Sequence, residues 1–167
     1  TLIRIIVGIF EGDTGLVELN GKVISSDIIK NSIGYLPEER GLYKGMTVGD
    51  YLRYIGKLRD LLKESLNVVI DGWIDKMQLK DWADKEIGTL SKGMQQKVQF
   101  IASVMHKPSL LILDEPFSGF DPMNEQHIID EILALKAEGT TILFSTHRMD
   151  SIEELCDDLV FLNKGVI

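Results

Sequence analysis

The chain has 167 residues, 44% of them hydrophobic and 26% charged, with a formal net charge of −8 and a single cysteine, Cys156. That length suits one domain with a sizeable core, and the composition is ordinary globular usage. The acidic balance argues against a nucleic-acid partner. The lone cysteine rules out an internal disulfide and fits a reducing compartment, and no apolar run approaches the roughly 18 residues that span a bilayer.

Leu2 to Ile9 reads as the end of a helix, with Gly12 and Gly15 as breakers. Leu16 to Ile24 alternates around Asn20-Gly21, a hairpin signal because both turn positions favour positive φ. Ser32 to Leu36 is a short strand ended by Pro37. Thr47 and Asp50 suit a capping-box-like start, after which Val48, Tyr51, Leu52, Ile55 and Leu58 form one apolar helical face. A further helical stretch surrounds Val69, Ile70, Ile74 and Met77.

From Ser91 the pattern changes. Met94, Val98, Ile101 and Met105 share a helical face, and Leu110 to Leu113 is wholly apolar, as in a parallel strand buried on both sides. Asp121-Pro122 starts another helix, carrying Ile128, Ile129, Ile132 and Leu135 and stopping at Gly139. Thr141 to Ser145 and Leu159 to Leu162 read as two more strands, with a helix from about Met149 to Cys156 between them. Strands and helices alternating through short connections predict a parallel α/β layer, into which the helical stretch 47–90 is inserted. Thr1 opens without an initiating Met or a cap, and Leu162 to Ile167 reads as strand, turn and the start of another strand. The expectation is a piece of a longer parent.

Leu110-Leu111-Ile112-Leu113-Asp114-Glu115-Pro116 places two carboxylates at the carboxyl edge of a sheet, where open α/β sheets bind ligands. Asp114 is placed to hold Mg²⁺ and Glu115 to deprotonate a water; both also fit as solvated ends of a strand. Leu90-Ser91-Lys92-Gly93-Met94 opens a helix whose amides and dipole make an anion site. Ser91 reads equally as a plain N-cap, and the two readings are compatible.

In this order and spacing the motifs resemble the ATP-binding cassette of ABC transporters, over nearly the whole chain. Leu90 to Met94 is similar to the signature motif, Leu110 to Glu115 to Walker B with its catalytic glutamate, and Ser118-Gly119-Phe120-Asp121 to the D-loop. Ser145-Thr146-His147 resembles the switch region, and Gly34 to Glu38 stands where the family has its Q-loop. The resemblance implies a P-loop NTPase-type α/β fold, with a mostly parallel sheet, an N-terminal antiparallel β hairpin and an inserted helical subdomain. It implies ATP and Mg²⁺ as cofactors, with Asp114 and Glu38 at the metal and Glu115 and His147 as catalytic residues. Thr1, Glu38, Ser91, Gly93 and Asp121 would contact nucleotide. The implied partners are a transmembrane permease and a second cassette, at the inner face of the cell membrane.

Several positions depart from the family pattern. The Walker A loop, GxxxxGK[ST], is expected immediately before Thr1, so residues 1–167 read as a partial domain that alone binds ATP poorly. Glu38 replaces the Q-loop glutamine, Lys92 a glycine and Met94 a glutamine; Lys92 either helps a phosphate site or points to solvent. The wording around Leu36 to Tyr43 and Leu90 to Lys97 resembles cassettes of bacterial two-component exporters of drugs or sodium. Rival readings are a chromosome-acting ABC ATPase, which calls for long coiled coils absent here, a ribosome-acting one, which calls for basic arms, and a regulatory cassette, against which Glu115 and His147 both speak.

Overall fold

The computed structural model describes residues 1–39, 41–117, 122–147 and 155–166. Its centre is a three-stranded parallel sheet in the order β3–β4–β5, formed by Ile33–Leu36, Leu110–Asp114 and Thr141–Ser145. Ladder pairs such as Leu36 with Leu113 and Asp114 with Ser145 bring the carboxyl ends of these strands to one edge.

The alternation of side chains along β3 and β4 divides the core between the two faces of the sheet. Ile33, Leu110 and Ile112 meet Val7, Ile3 and Ile6 of the segment containing α1 (Leu2–Ile6). Leu36, Leu111 and Leu113 join the larger core, with Val98, Ile101 and Met105 of the α5 segment (α5 is Lys92–Val104). Gly34 in β3 has a steric reason to be glycine: a Cβ there would lie 2.2 Å from the Ser103 carbonyl oxygen.

Local signals account for several elements. Asn20 and Gly21 both adopt positive φ, 53° and 73°, and join β1 (Glu18–Leu19) to β2 (Lys22–Val23). The expected alternation over Leu16 to Ile24 thus contracts to two residues on each side of the turn. Thr47 caps α3 (Val48–Leu58): its hydroxyl accepts from the Asp50 N–H at 3.1 Å and donates to the Asp50 carboxylate at 2.9 Å. Such caps stabilise by about 1 kcal/mol. Helix α4 (Lys63–Lys76) follows, then 3₁₀ turns at Lys80–Trp82 and Ile87–Thr89. Helix α6, Pro122–Ala137, crosses from β4 to β5 and buries Ile128, Ile129, Ile132 and Leu135 as its apolar spacing predicts.

Other features differ from the sequence reading. Helix α2, Ser26–Ser32, stands where none was expected; Ser25 caps it, and Arg59 closes its far end by donating to the carbonyls of Ile29, Lys30 and Ile33 at 3.1, 2.7 and 3.0 Å. Helix α1 stops at Ile6 rather than Ile9, and Leu58 is exposed instead of joining the apolar face of α3. The strand expected at Leu159 to Leu162 does not form. No strand among the described residues stands beside that segment to share a ladder, and its side chains are more than half exposed. The helix expected from Met149 to Cys156 lies almost wholly outside the described residues.

Candidate functional site

Strand β4 delivers Asp114 and Glu115 to the carboxyl edge of the sheet, and β5 delivers Ser145 to the same edge. The Ser145 hydroxyl donates to Asp114 Oδ1 at 2.5 Å, and the Glu115 N–H donates to the Ser145 carbonyl at 3.1 Å. Two residues after Ser145, His147 meets Glu115, with Nδ1 2.9 Å from Oε1. A carboxylate accepts, so Nδ1 is the donor and Nε2 is left for another partner. The Glu115 side chain is mostly buried, whereas that of His147 is 79% exposed.

Glu115 has φ 49°, in the left-handed region. A non-glycine residue there is strained by about 1 kcal/mol, and such strain concentrates where function requires a particular direction of a side chain.

Glu38 follows β3 at the same edge and is exposed. Tyr35 ties this neighbourhood together. Burial raises its phenol above the usual value, the charges of Asp114 and Glu38 add to that, and the Arg4 guanidinium opposes it. A cleft of about 380 Å³ lined by Arg4, Phe10, Tyr35, Pro37 and Glu39 opens beside them.

Ser91 acts as the N-cap of α5, accepting from the Met94 N–H at 3.3 Å, and Gly93 lies in the first turn. No hydrogen bond or ion pair among the described residues links Ser91 to the Asp114–Glu115 group. Lys92, exposed, is the first residue of the helix. Thr1 is exposed ahead of α1 and its side chain makes no capping bond. Asp121, with Ser118, Gly119 and Phe120, lies outside the described residues.

Mg²⁺ is usually held by one or two carboxylates together with substrate phosphates and waters, not by a cage of protein ligands. The described residues fit that pattern. The hard oxygens of Asp114 and Ser145 meet at the edge that Glu38 also borders.

Sequence reasoning missed the Ser145–Asp114 bond and two buried amides of α5, Gln96 and Gln99. Gln96 Nε2 donates to the Pro116 carbonyl at 3.1 Å. The available signal was two glutamines three residues apart beside the apolar positions Val98, Phe100 and Ile101.

A family model described as ABC transporter matches residues 1–118. The chain belongs to the ABC transporter family. It is 48% identical, over 99% of its length, to an uncharacterized ABC transporter ATP-binding protein of Methanocaldococcus jannaschii, of which it covers 59%. It is 32% identical, over 100% and 99% of its length, to two Bacillus subtilis proteins, the ABC transporter ATP-binding protein NatA and the linearmycin resistance ATP-binding protein LnrL, covering 69% and 54% of them. A solved structure of an ATP-binding subunit of an ABC transporter superposes with a TM-score of 0.85 at 28% identity, over 93% of this chain and 66% of that one. The fold is that of an ABC cassette with a parallel core sheet. The chain spans a little over half the length of most of these curated relatives.

Proposed function

We propose that the chain is the main part of a cassette that binds and hydrolyses ATP to drive a substrate through a partner permease. The observation that carries this reading is the Glu115–His147 pair, 2.9 Å apart beside Asp114 at the carboxyl edge of the sheet. Glu115 is held by its strained backbone and by the Ser145 carbonyl, so its carboxylate has a set direction from which to accept the proton of an attacking water. His147 would orient that carboxylate through Nδ1 and, as the family resemblance implies, act as the sensor of the γ-phosphate. Asp114, oriented by Ser145, and Glu38 would hold Mg²⁺, which neutralises charge on the phosphates.

Ser91 and Gly93, at the positive end of α5, would contact the nucleotide of a second cassette, with Asp121 bridging the two sites and Thr1 near the phosphates. Residues 47–90 would form the helical subdomain that docks the permease. In that arrangement the protein would work in the cytoplasm, peripheral on the inner face of the membrane, and the acidic balance speaks against a nucleic-acid partner. No helix among the described residues is long and apolar enough to cross a membrane, so the spanning part would belong to the permease. The wording around Leu36 to Tyr43 and Leu90 to Lys97, together with the linearmycin resistance for which LnrL is named, favours an exporter of the drug or sodium type.

The test is Glu115→Gln in the full-length protein, measured for ATP turnover and for ATP-dependent dimerisation by size exclusion. Loss of a general base costs roughly 10²–10⁴-fold in rate, so turnover should nearly stop while ATP still binds and a dimer peak appears. Turnover close to that of the parent would mean that another group is the base.

A further inference from the structure

Gln96 and Gln99 are 3% and 6% exposed, and glutamine is rarely buried so deeply without hydrogen bonds to justify it. Gln96 reaches the carbonyl of Pro116, just past Glu115. Gln99 reaches the loop that follows β3: its Nε2 lies 3.4 Å from the carbonyls of both Pro37 and Glu39, the residues flanking Glu38. One amide group has two N–H donors, enough for one bond to each carbonyl.

Packing alone does not hold this loop. Glu38 and Glu39 are exposed, and a cavity of about 150 Å³, lined by Pro37, Gly41, Tyr51, Arg59, Gln99 and Ser103, lies behind the loop. Gln99 Oε1 is buried and accepts no hydrogen bond among the described residues. A buried acceptor without a donor is unfavourable, so this amide is costly to bury. What the amide adds is its pair of donors.

We infer that Gln99 is a positioning residue for Glu38, fixing the loop on both sides of that carboxylate so that it stays in register with Asp114. Helix α5 then spaces the two acid-bearing loops through its two buried amides, Gln99 to the Glu38 loop and Gln96 to the Glu115 loop. The inference rests on the reading of Asp114 and Glu38 as Mg²⁺ ligands given above.

Gln99→Met in the full-length protein tests it, with Gln99→Glu as a second variant that keeps the shape but turns an acceptor toward the two carbonyls. The readouts are the affinity for a fluorescent ATP analogue with Mg²⁺ and with EDTA, and the melting temperature. Partners that orient metal ligands are worth roughly 10-fold or more in metal affinity, so both variants should lose about that much of the gain in binding that Mg²⁺ provides. Binding in EDTA and the melting temperature of Gln99→Met should match the parent. In a Glu38→Ala background the Gln99→Met change should have no further effect on the Mg²⁺ gain. Equal weakening with and without Mg²⁺, or a lower melting temperature with an unchanged Mg²⁺ gain, would overturn the inference and leave Gln99 a packing residue. A Glu38→Ala protein with an undiminished Mg²⁺ gain would instead overturn the assignment of Glu38 itself, and this inference with it.

Discussion

His106 and Arg59 bind the same carbonyl oxygen, that of Ile33: His106 Nε2 lies 3.2 Å from it and Arg59 Nη1 3.0 Å. Nε2 is therefore the protonated nitrogen, and the buried Nδ1 has no hydrogen-bond partner among the described residues. A second proton on the ring would place a charge in a desolvated site beside a guanidinium. Burial first, and the Arg59 charge second, lower the imidazole from 6.5 to about 4.

This depression makes stability depend on pH. The folded protein keeps His106 neutral between pH 6.5 and 4, where the unfolded chain takes up a proton. The contribution is fully present above pH 6.5 and is lost as the pH falls toward 4. Its size is about 2 kcal/mol, discounted for partial exposure. His106→Gln keeps a donor for Ile33 but does not titrate. Urea unfolding at pH 7 and at pH 4.5 should show a smaller acid loss in the variant than in the parent; equal losses would show that His106 is not responsible.

Gly34 is a packing constraint of a different kind. Its missing Cβ would meet the Ser103 carbonyl at 2.2 Å and side-chain atoms of Leu111 and Pro108 at 2.8 and 2.9 Å. The backbone oxygen cannot step aside without moving α5 off the sheet. Gly34→Ala should destabilise by about 3 kcal/mol, read as a lower urea midpoint. A variant as stable as the parent would mean that α5 has more play than its packing indicates.

Nucleotide affinity should distinguish the 167-residue chain from a full-length cassette. The chain contains no GxxxxGK[ST] segment to cradle phosphates. Titrated with a fluorescent ATP analogue in Mg²⁺, it should bind weakly or not at all. Micromolar affinity would show that the edge around Asp114, Glu115 and His147 suffices.

The permease should dock on the aromatic surface near the start of α3. Tyr43 and Tyr54 are exposed, and the Tyr43 ring lies 5.9 Å from that of Tyr54 and 6.2 Å from that of Tyr51. Rigid aromatic side chains give large contact area at low entropic cost, which suits an interface. Cross-linking a full-length cassette to its permease should give products within residues 38–60, and products confined to the hairpin at 16–24 would refute the assignment.

At the end of β4, Asp114→Asn should differ from Glu115→Gln. It replaces one oxygen of the carboxylate that accepts from Ser145 and that would hold Mg²⁺. Binding in Mg²⁺ and turnover should both fall, whereas Glu115→Gln should spare binding. Equal binding by the two variants would remove Asp114 from the metal site.

What the sequence determined by itself was local. Asn20-Gly21 specified its turn and Thr47 and Ser91 their caps, because each rests on groups a few residues apart whose energies depend little on the rest of the fold. The family pattern likewise picked out Asp114, Glu115 and His147. Only the tertiary structure decided which of these side chains meet. Ser145 reaches Asp114, and His147 reaches Glu115, across 31 and 32 residues, because parallel pairing brings two strand ends to one edge. The apolar run at Leu159 to Leu162 shows the same rule from the other side. Its composition suits a strand, but a strand exists only beside a partner, and no pattern within four residues can supply one. Gln99 was illegible for a related reason: an amide on a helix reads as solvated until the fold buries it and sets the Pro37 and Glu39 carbonyls, some sixty residues away, before its nitrogen.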